Sequence, residues 1–241
     1  MRFFFMVSFD LRLTHMRLRK IKGAEEAVAN SAFCVQNPTA YRGQWRDYFA
    51  AQREDSGSSQ SPGSFPLHIE IGMGKGTFLM QSAELHPEID YLGIELFSSV
   101  LFRAIQKIEE HPLPNLRYLC VNAETITEIF DEGEVDLIYL NFSDPWPKTK
   151  HAKRRLTSSA FLERYDRILS ESGRIEFKTD NRGFFDFSLE EIENSKWRLI
   201  ASTYDLHHDP VLSEGNIMTE YEAKFSALHH PICKLMIDRS P

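Results

Sequence analysis

Residues 141–155 read Asn-Phe-Ser-Asp-Pro-Trp-Pro-Lys-Thr-Lys-His-Ala-Lys-Arg-Arg. Pro145 and Pro147 bracket Trp146 and restrict the backbone on both sides of the indole. Asp144 is therefore expected in a rigid loop beside a fixed aromatic ring. Lys148, Lys150, Lys153, Arg154 and Arg155 follow with no acid among them. A carboxylate next to an aromatic, with a cationic run behind it, has the chemistry of a nucleobase site with a phosphate guide. The contrary reading is a proline-rich surface loop leading into a solvated basic face.

Further polar residues fall where short apolar runs end: Glu70, Glu95, Asn122, Asp144 and Asp180. The first three steps are 25, 27 and 22 positions, each about one strand plus its crossover. In an open α/β sheet, ligands sit beyond the carboxyl ends of the strands. A row of acids and amides along that rim suits a polar, hydroxyl-bearing cofactor. The first run ends in Glu70-Ile71-Gly72-Met73-Gly74-Lys75-Gly76. Its glycines, Gly72 foremost, allow a tight turn and close approach of a ligand to the backbone. The spacing is neither the dinucleotide G-x-G-x-x-G nor a P-loop. Glu95 can accept from both ribose hydroxyls, and Glu70 repels a pyrophosphate yet suits an ammonium or a sulfonium. This favours S-adenosyl-L-methionine over NAD.

The elements that must position these residues alternate. Strands are expected at 67–71, 91–94, 116–121, 135–142 and 174–179. Helices are expected at 44–51, at 77–85, after a Ser98 cap, and through Phe161, Leu162, Tyr165, Ile168 and Leu169, with Gly173 as the break. Residues 197–204, 221–227 and 233–237 read as further strands with little helix between. The fold class is thus α/β: a Rossmann-like, mostly parallel sheet covered on both faces, with antiparallel C-terminal edge strands. Residues 1–40 show no sustained period. The serine- and glycine-rich stretch 55–64 reads as a linker, which separates an N-terminal basic arm (1–64) from a main domain (65–241).

The chain has 241 residues and a formal net charge of −7. The cations are concentrated. The first 22 residues hold Arg2, Arg12, Arg17, Arg19, Lys20 and Lys22 against Asp10 alone, and residues 148–155 form the second cluster. A phosphate backbone responds to such local fields rather than to the net charge. Cys34, Cys120 and Cys233 are odd in number and far apart, so neither a disulfide framework nor a paired metal-ligand spacing is expected. No apolar run reaches the length of a membrane span. A secretory signal is also lacking, and a cytoplasmic protein is expected.

Taken together, these segments resemble the bacterial tRNA (guanine-N7-)-methyltransferases, from about Met16 to Ile237. The resemblance is carried by the 70–76 turn, Gly93-Ile94-Glu95, the 141–155 segment, Phe177-Lys178-Thr179-Asp180-Asn181 and Thr219-Glu220-Tyr221-Glu222. It implies a class I methyltransferase fold that transfers a methyl group from S-adenosylmethionine to N7 of a guanine in the tRNA variable loop, position 46. By the same resemblance Glu70, Glu95, Asn122 and Asp144 hold the cofactor, beside the Gly72 turn already assigned to it. It also implies that Lys148, Asp180, Thr219, Glu220, Tyr221 and Glu222 face the tRNA; the cationic run itself adds Lys150, Lys153, Arg154 and Arg155 as expected phosphate contacts, and a fixed carboxylate beside a purine that becomes cationic makes Asp144 the expected catalytic group. Asn122 stands where many members carry aspartate. No counterpart is expected for residues 1–15, so Met16 is a candidate start. No metal is implied, and the implied partner besides tRNA is at most a second copy, as a monomer or homodimer. An NAD-dependent oxidoreductase, a non-catalytic RNA-binding protein on the same fold, and a methyltransferase for another nucleobase remain as rival readings.

Overall fold

The computed structural model describes residues 20–55 and 65–239. The expectations for Arg2, Arg12, Arg17, Arg19 and Met16, and for most of the 55–64 linker, lie outside them. Among the described residues seven strands form one sheet: β1 (Leu67–Ile71), β2 (Asp90–Glu95), β3 (Leu116–Cys120), β4 (Val135–Asn141), β5 (Leu169–Thr179), β6 (Trp197–Thr203) and β7 (Cys233–Arg239), in the order β3-β2-β1-β4-β5-β7-β6. The pairings from β3 through β5 are parallel. β7 runs antiparallel to both β5 and β6. The strand order reverses between β1 and β4, so the crevice for a ligand opens beyond the carboxyl ends of those two strands.

Helices cover both faces. On one side α1 (Ala24–Asn30), α3 (Thr77–Leu85) and α4 (Ser98–Glu110) bury Val28, Leu79, Leu101 and Ile105 against Tyr91 and Tyr118. On the other, α2 (Trp45–Asp55), α5 (Ile126–Ile129), α6 (Ser159–Ile168) and α7 (Arg182–Glu193) pack Trp45, Ile129, Phe161 and Phe185 onto Ile69, Ile138 and Phe177. All six residues of β2 are buried, as a strand covered on both faces requires. Residues 20–55 pack onto this core. Trp45 and Phe49 are fully buried. The Trp45 amide donates to Glu134 Oε1 at 2.9 Å, and Arg53 pairs with Asp90 at 2.5 Å in the interior.

Several expectations are corrected. Residues 221–227 do not form a strand: α8 spans Glu220–Ser226. Thr219-x-x-Glu222 is a helix-start signature. Thr219 Oγ1 accepts from the Glu222 amide at 2.9 Å, and Tyr221 and Phe225, one turn apart, stack at 4.2 Å. Ser98 does not cap α4. Phe97 occupies the cap position without a side-chain bond, and its amide is taken instead by Glu95 Oε1 at 3.0 Å. α6 ends at Ile168, and β5 begins at Leu169 rather than Arg174. Gly173 lies inside that strand, where the register with β4 shifts. A methyl there would meet Leu169 Cδ2 at 2.8 Å. In the stretch read as aperiodic, the seven-residue α1 is too short to show a period. No helix among the described residues is long and apolar enough to cross a membrane.

Candidate active site

The turn after β1 is built by φ values that glycine tolerates: Gly72, Gly74 and Gly76 stand at 77°, 59° and 72°. The Gly72 and Met73 amides both donate to the Ile94 carbonyl, at 2.8 and 3.1 Å. The turn is thus fastened to the end of β2, next to Glu95. Gly93 makes that contact sterically feasible. A Cβ there would lie 2.0 Å from Met73 Sδ and 2.8 Å from Leu79 Cδ1. Above Gly72 and Gly74, by contrast, a Cβ would meet nothing within 4 Å, so that side of the turn is open.

Two carboxylates face this turn. Glu70 is 2% exposed. Its Oε1 accepts from Asn141 Nδ2 at 2.8 Å, while Oε2 is buried without a hydrogen-bond partner. Burial pushes its carboxyl up to about 8, against the opposing Asn141 hydrogen bond and Lys178 charge. Glu95 Oε2 accepts from the Gly74 amide at 3.1 Å. Burial also raises the Glu95 carboxyl, and Asp144 is close enough for its charge to add to that. These residues fit S-adenosylmethionine. The open glycine turn admits the ligand to the backbone. The unpartnered oxygen of Glu70 is open to a hydrogen-bond donor, which an ammonium supplies and a pyrophosphate does not. Asn122 stands exposed at the end of β3, where its Oδ1 accepts from the Glu124 amide at 3.0 Å.

Asp144 is exposed on the loop that leaves β4. The rigidity expected from the prolines has a second source. Phe142 and Trp146 are non-glycine residues at φ 52° and 41°, strained positions that surrounding contacts must hold. Arg155 supplies such contacts. Its Nε donates to the Pro145 carbonyl at 2.8 Å and an Nη to that of Trp146 at 3.1 Å. Its guanidinium also lies 4.2 Å above the Phe187 ring. Arg155 thus clamps the loop, a role that the reading of it as a phosphate contact missed. Lys148, Lys150, Lys153 and Arg154 are exposed on or beside the 3-10 turn Thr149–Arg154, and Arg154 stacks over Trp146 at 5.0 Å.

The Thr219–Glu222 stretch reaches the same rim, with its members divided in role. Thr219 caps α8. Glu220 accepts from Thr77 Oγ1 at 2.6 Å, Lys107 Nζ at 2.6 Å and Lys75 Nζ at 3.1 Å. The Lys107 and Thr77 bonds draw its carboxyl down to about 2. Tyr221 donates to Asp180 Oδ2 at 3.2 Å, and its ring lies 5.0 Å from that of Phe142. Glu222 is completely buried and pairs with Lys178 at 2.6 Å. The resemblance implies that all four face the substrate; in the structure Glu220 and Tyr221 are exposed at the rim beside the half-buried Asp180, while Glu222 is withdrawn from it. Asn141 and Lys178 were missed as polar partners, because in sequence they look like ordinary strand-end residues.

A family model described as "Putative methyltransferase" matches residues 64–235. The chain is 51% identical, over 224 residues, to the tRNA (guanine-N(7)-)-methyltransferase of Lachnoclostridium phytofermentans, with 93% of this chain and 99% of that protein covered. It is 43% identical to the enzyme of the same name from Bacillus subtilis, covering 92% and 99%. Among solved structures, the 16S rRNA methyltransferase KamB shares the fold with a TM-score of 0.57 at 14% identity, over 81% of this chain and 92% of that one.

Proposed function

From the premise that the chain belongs to the tRNA (guanine-N7-)-methyltransferase family, an S-adenosylmethionine-dependent family of enzymes, we propose that it methylates N7 of the guanine at position 46 in the tRNA variable loop. The observation that carries this reading is convergence at one crevice. The open glycine turn with the unpartnered Glu70 oxygen and the clamped Asp144 loop leave the two adjacent strands at which the sheet order reverses. The oxidoreductase reading leaves the second of these without a task.

When bound, S-adenosylmethionine supplies an electrophilic sulfonium methyl group. Guanine N7 has a lone pair and no proton, so the chain needs no general base. Its work is to position the acceptor and to stabilise the charge that appears on it. Glu70 and Glu95 hold the cofactor's ammonium and ribose hydroxyls. Asp144 faces the purine, which becomes cationic as the bond forms. Asp180, oriented by Tyr221, accepts from the N1–H or amino group of guanine and so selects that base. A cytoplasmic location is part of this reading, and a tRNA substrate supports it.

The direct test is incubation of the protein with unmodified tRNA and labelled cofactor, followed by nucleoside analysis. 7-Methylguanosine from the variable loop is the expected product. Label on another base would favour the reading as a different nucleobase methyltransferase, and no label would remove the activity.

Lys148, Lys150 and Lys153 are the phosphate guide in this reading. Changing all three to alanine is expected to lower the slope of log K against log salt by about 2 to 3, because each neutralised phosphate releases roughly 0.7 to 0.9 of a counterion. Filter binding over a salt series reads the slope. An unchanged slope would return these lysines to the status of a solvated face.

A further inference from the structure

Lys178 has no part in the scheme above, yet its side chain is more tightly engaged than any residue in it. It lies in β5 and is 4% exposed. Its ammonium donates to Glu222 Oε2 at 2.6 Å, to Asn216 Oδ1 at 3.1 Å and to the Ile217 carbonyl at 3.0 Å. Those three bonds use every N–H that the group has. Glu222 Oε1 in turn accepts from Asn216 Nδ2 at 2.7 Å and lies 3.4 Å from His207 Nε2. Across the β4–β5 ladder, Lys178 stands opposite Asn141, the residue that donates to Glu70. Residues opposite one another in a ladder project to the same face. A polar row, Glu70–Asn141–Lys178–Glu222, therefore runs from the cofactor turn to the first turn of α8.

A buried ion pair is a poor source of net stability, since a well-packed apolar pair often does as well. What it does provide is a fixed geometry. Asn216, Ile217 and Glu222 all belong to the segment that presents Glu220 and Tyr221 at the rim, and one ammonium fastens all three to β5. We infer that Lys178 is a positioning residue that fastens the substrate segment to β5 in register with the Asn141–Glu70 pair beside the cofactor turn. The substrate half of this inference rests on the function proposed above. The cofactor half does not.

The cation also bears on Glu70. The charged or titratable groups around that carboxyl are Lys178, which favours its ionised form, and Glu95, Tyr118 and Tyr139, which do not. Without Lys178, Glu70 ionises only at higher pH, and an ammonium ligand loses its counter-charge.

The test compares the wild type with the double variant Lys178→Met/Glu222→Gln, in which no buried charge is left unpaired, and with Lys178→Arg, which keeps the cation. S-adenosylmethionine affinity is titrated calorimetrically across pH, and kcat and KM for tRNA are measured separately. In the double variant the acidic limb of the cofactor profile is expected to move up by about one pH unit. The KM for tRNA is expected to rise about tenfold or more. Lys178→Arg is expected to keep the wild-type limb. A wild-type value for either readout in the double variant overturns the assignment, as does a Lys178→Arg limb shifted as far as the double variant's. If the double variant does not fold, Glu222→Gln alone, which preserves the shape of the side chain, supplies the tRNA readout: a raised KM supports the assignment and a wild-type KM overturns it. The cofactor titration contains no tRNA, so its failure is distinct from failure of the proposed methylation.

Discussion

Asp144→Asn is expected to lower kcat by about 10²–10³-fold, the cost of losing one pre-aimed electrostatic contact in a transition state, while changing the cofactor Kd by only about threefold. The substitution keeps the shape of the side chain and removes its charge. In the substrate complex the purine is neutral, and an amide serves nearly as well as a carboxylate. As N7 takes the methyl group, the ring becomes a cation, and only then does the missing charge matter. An interaction that is stronger in the transition state than in the ground state appears in kcat rather than in binding. The loop is built for such a task. A carboxylate on a mobile segment would have to reorganise during the reaction. Here two positive-φ residues flank Asp144, and Arg155 ties down the carbonyls of Pro145 and Trp146. Single-turnover methylation at saturating tRNA measures the chemical step. Turnover equal to the wild type would remove Asp144 from the chemistry and leave it a cofactor contact.

The residues whose place in the fold is legible in the sequence are those whose signal is local. The glycine turn, Glu95 at the close of β2 and the Asp-Pro-Trp-Pro loop each announce themselves within a few positions, and the strand periodicity then places them on one rim. What was not legible depends on partners far away in the chain. Arg155 looks like the last member of a cationic run; its role as a clamp comes from carbonyls ten and nine residues back, brought round by the 3-10 turn. Glu222 looks like a solvent-facing acid beside Glu220. Its burial follows from α8 folding onto β5, where Lys178 waits 44 residues upstream. The misreading of 221–227 as a strand has the same root. Tyr221, Ala223 and Phe225 alternate as strand residues do, but the Thr219 cap fixes a helical first turn and Tyr221 then stacks on Phe225 one turn later. Where alternation and a cap compete over seven residues, the cap can decide, because it satisfies otherwise orphaned amides.

Glu70→Gln is expected to weaken S-adenosylmethionine binding by about 10²-fold, since a charge-assisted hydrogen bond contributes roughly 1.5–3 kcal/mol, and yet to stabilise the cofactor-free protein at alkaline pH. The two effects share one cause. Burial raises the Glu70 carboxyl from an ordinary 4.5 to about 8 in the folded chain. Between those values the folded protein keeps a proton that the unfolded chain has already released. Stability linked to this group is therefore complete below about pH 4.5 and declines as pH rises toward about 8. Glutamine has no proton to lose, so the variant escapes the decline, and its advantage over the wild type should grow from pH 5 to pH 8. The cofactor is expected to reverse the balance for the wild type alone: in the proposed contact its ammonium supplies the partner that Oε2 lacks and stabilises the ionised carboxylate. Thermal melts of both proteins across this range, with and without S-adenosylmethionine, separate the terms. A variant that melts below the wild type at pH 8 without cofactor, or that binds cofactor as tightly, would mean that Glu70 is structural, with its lone oxygen serving no ligand.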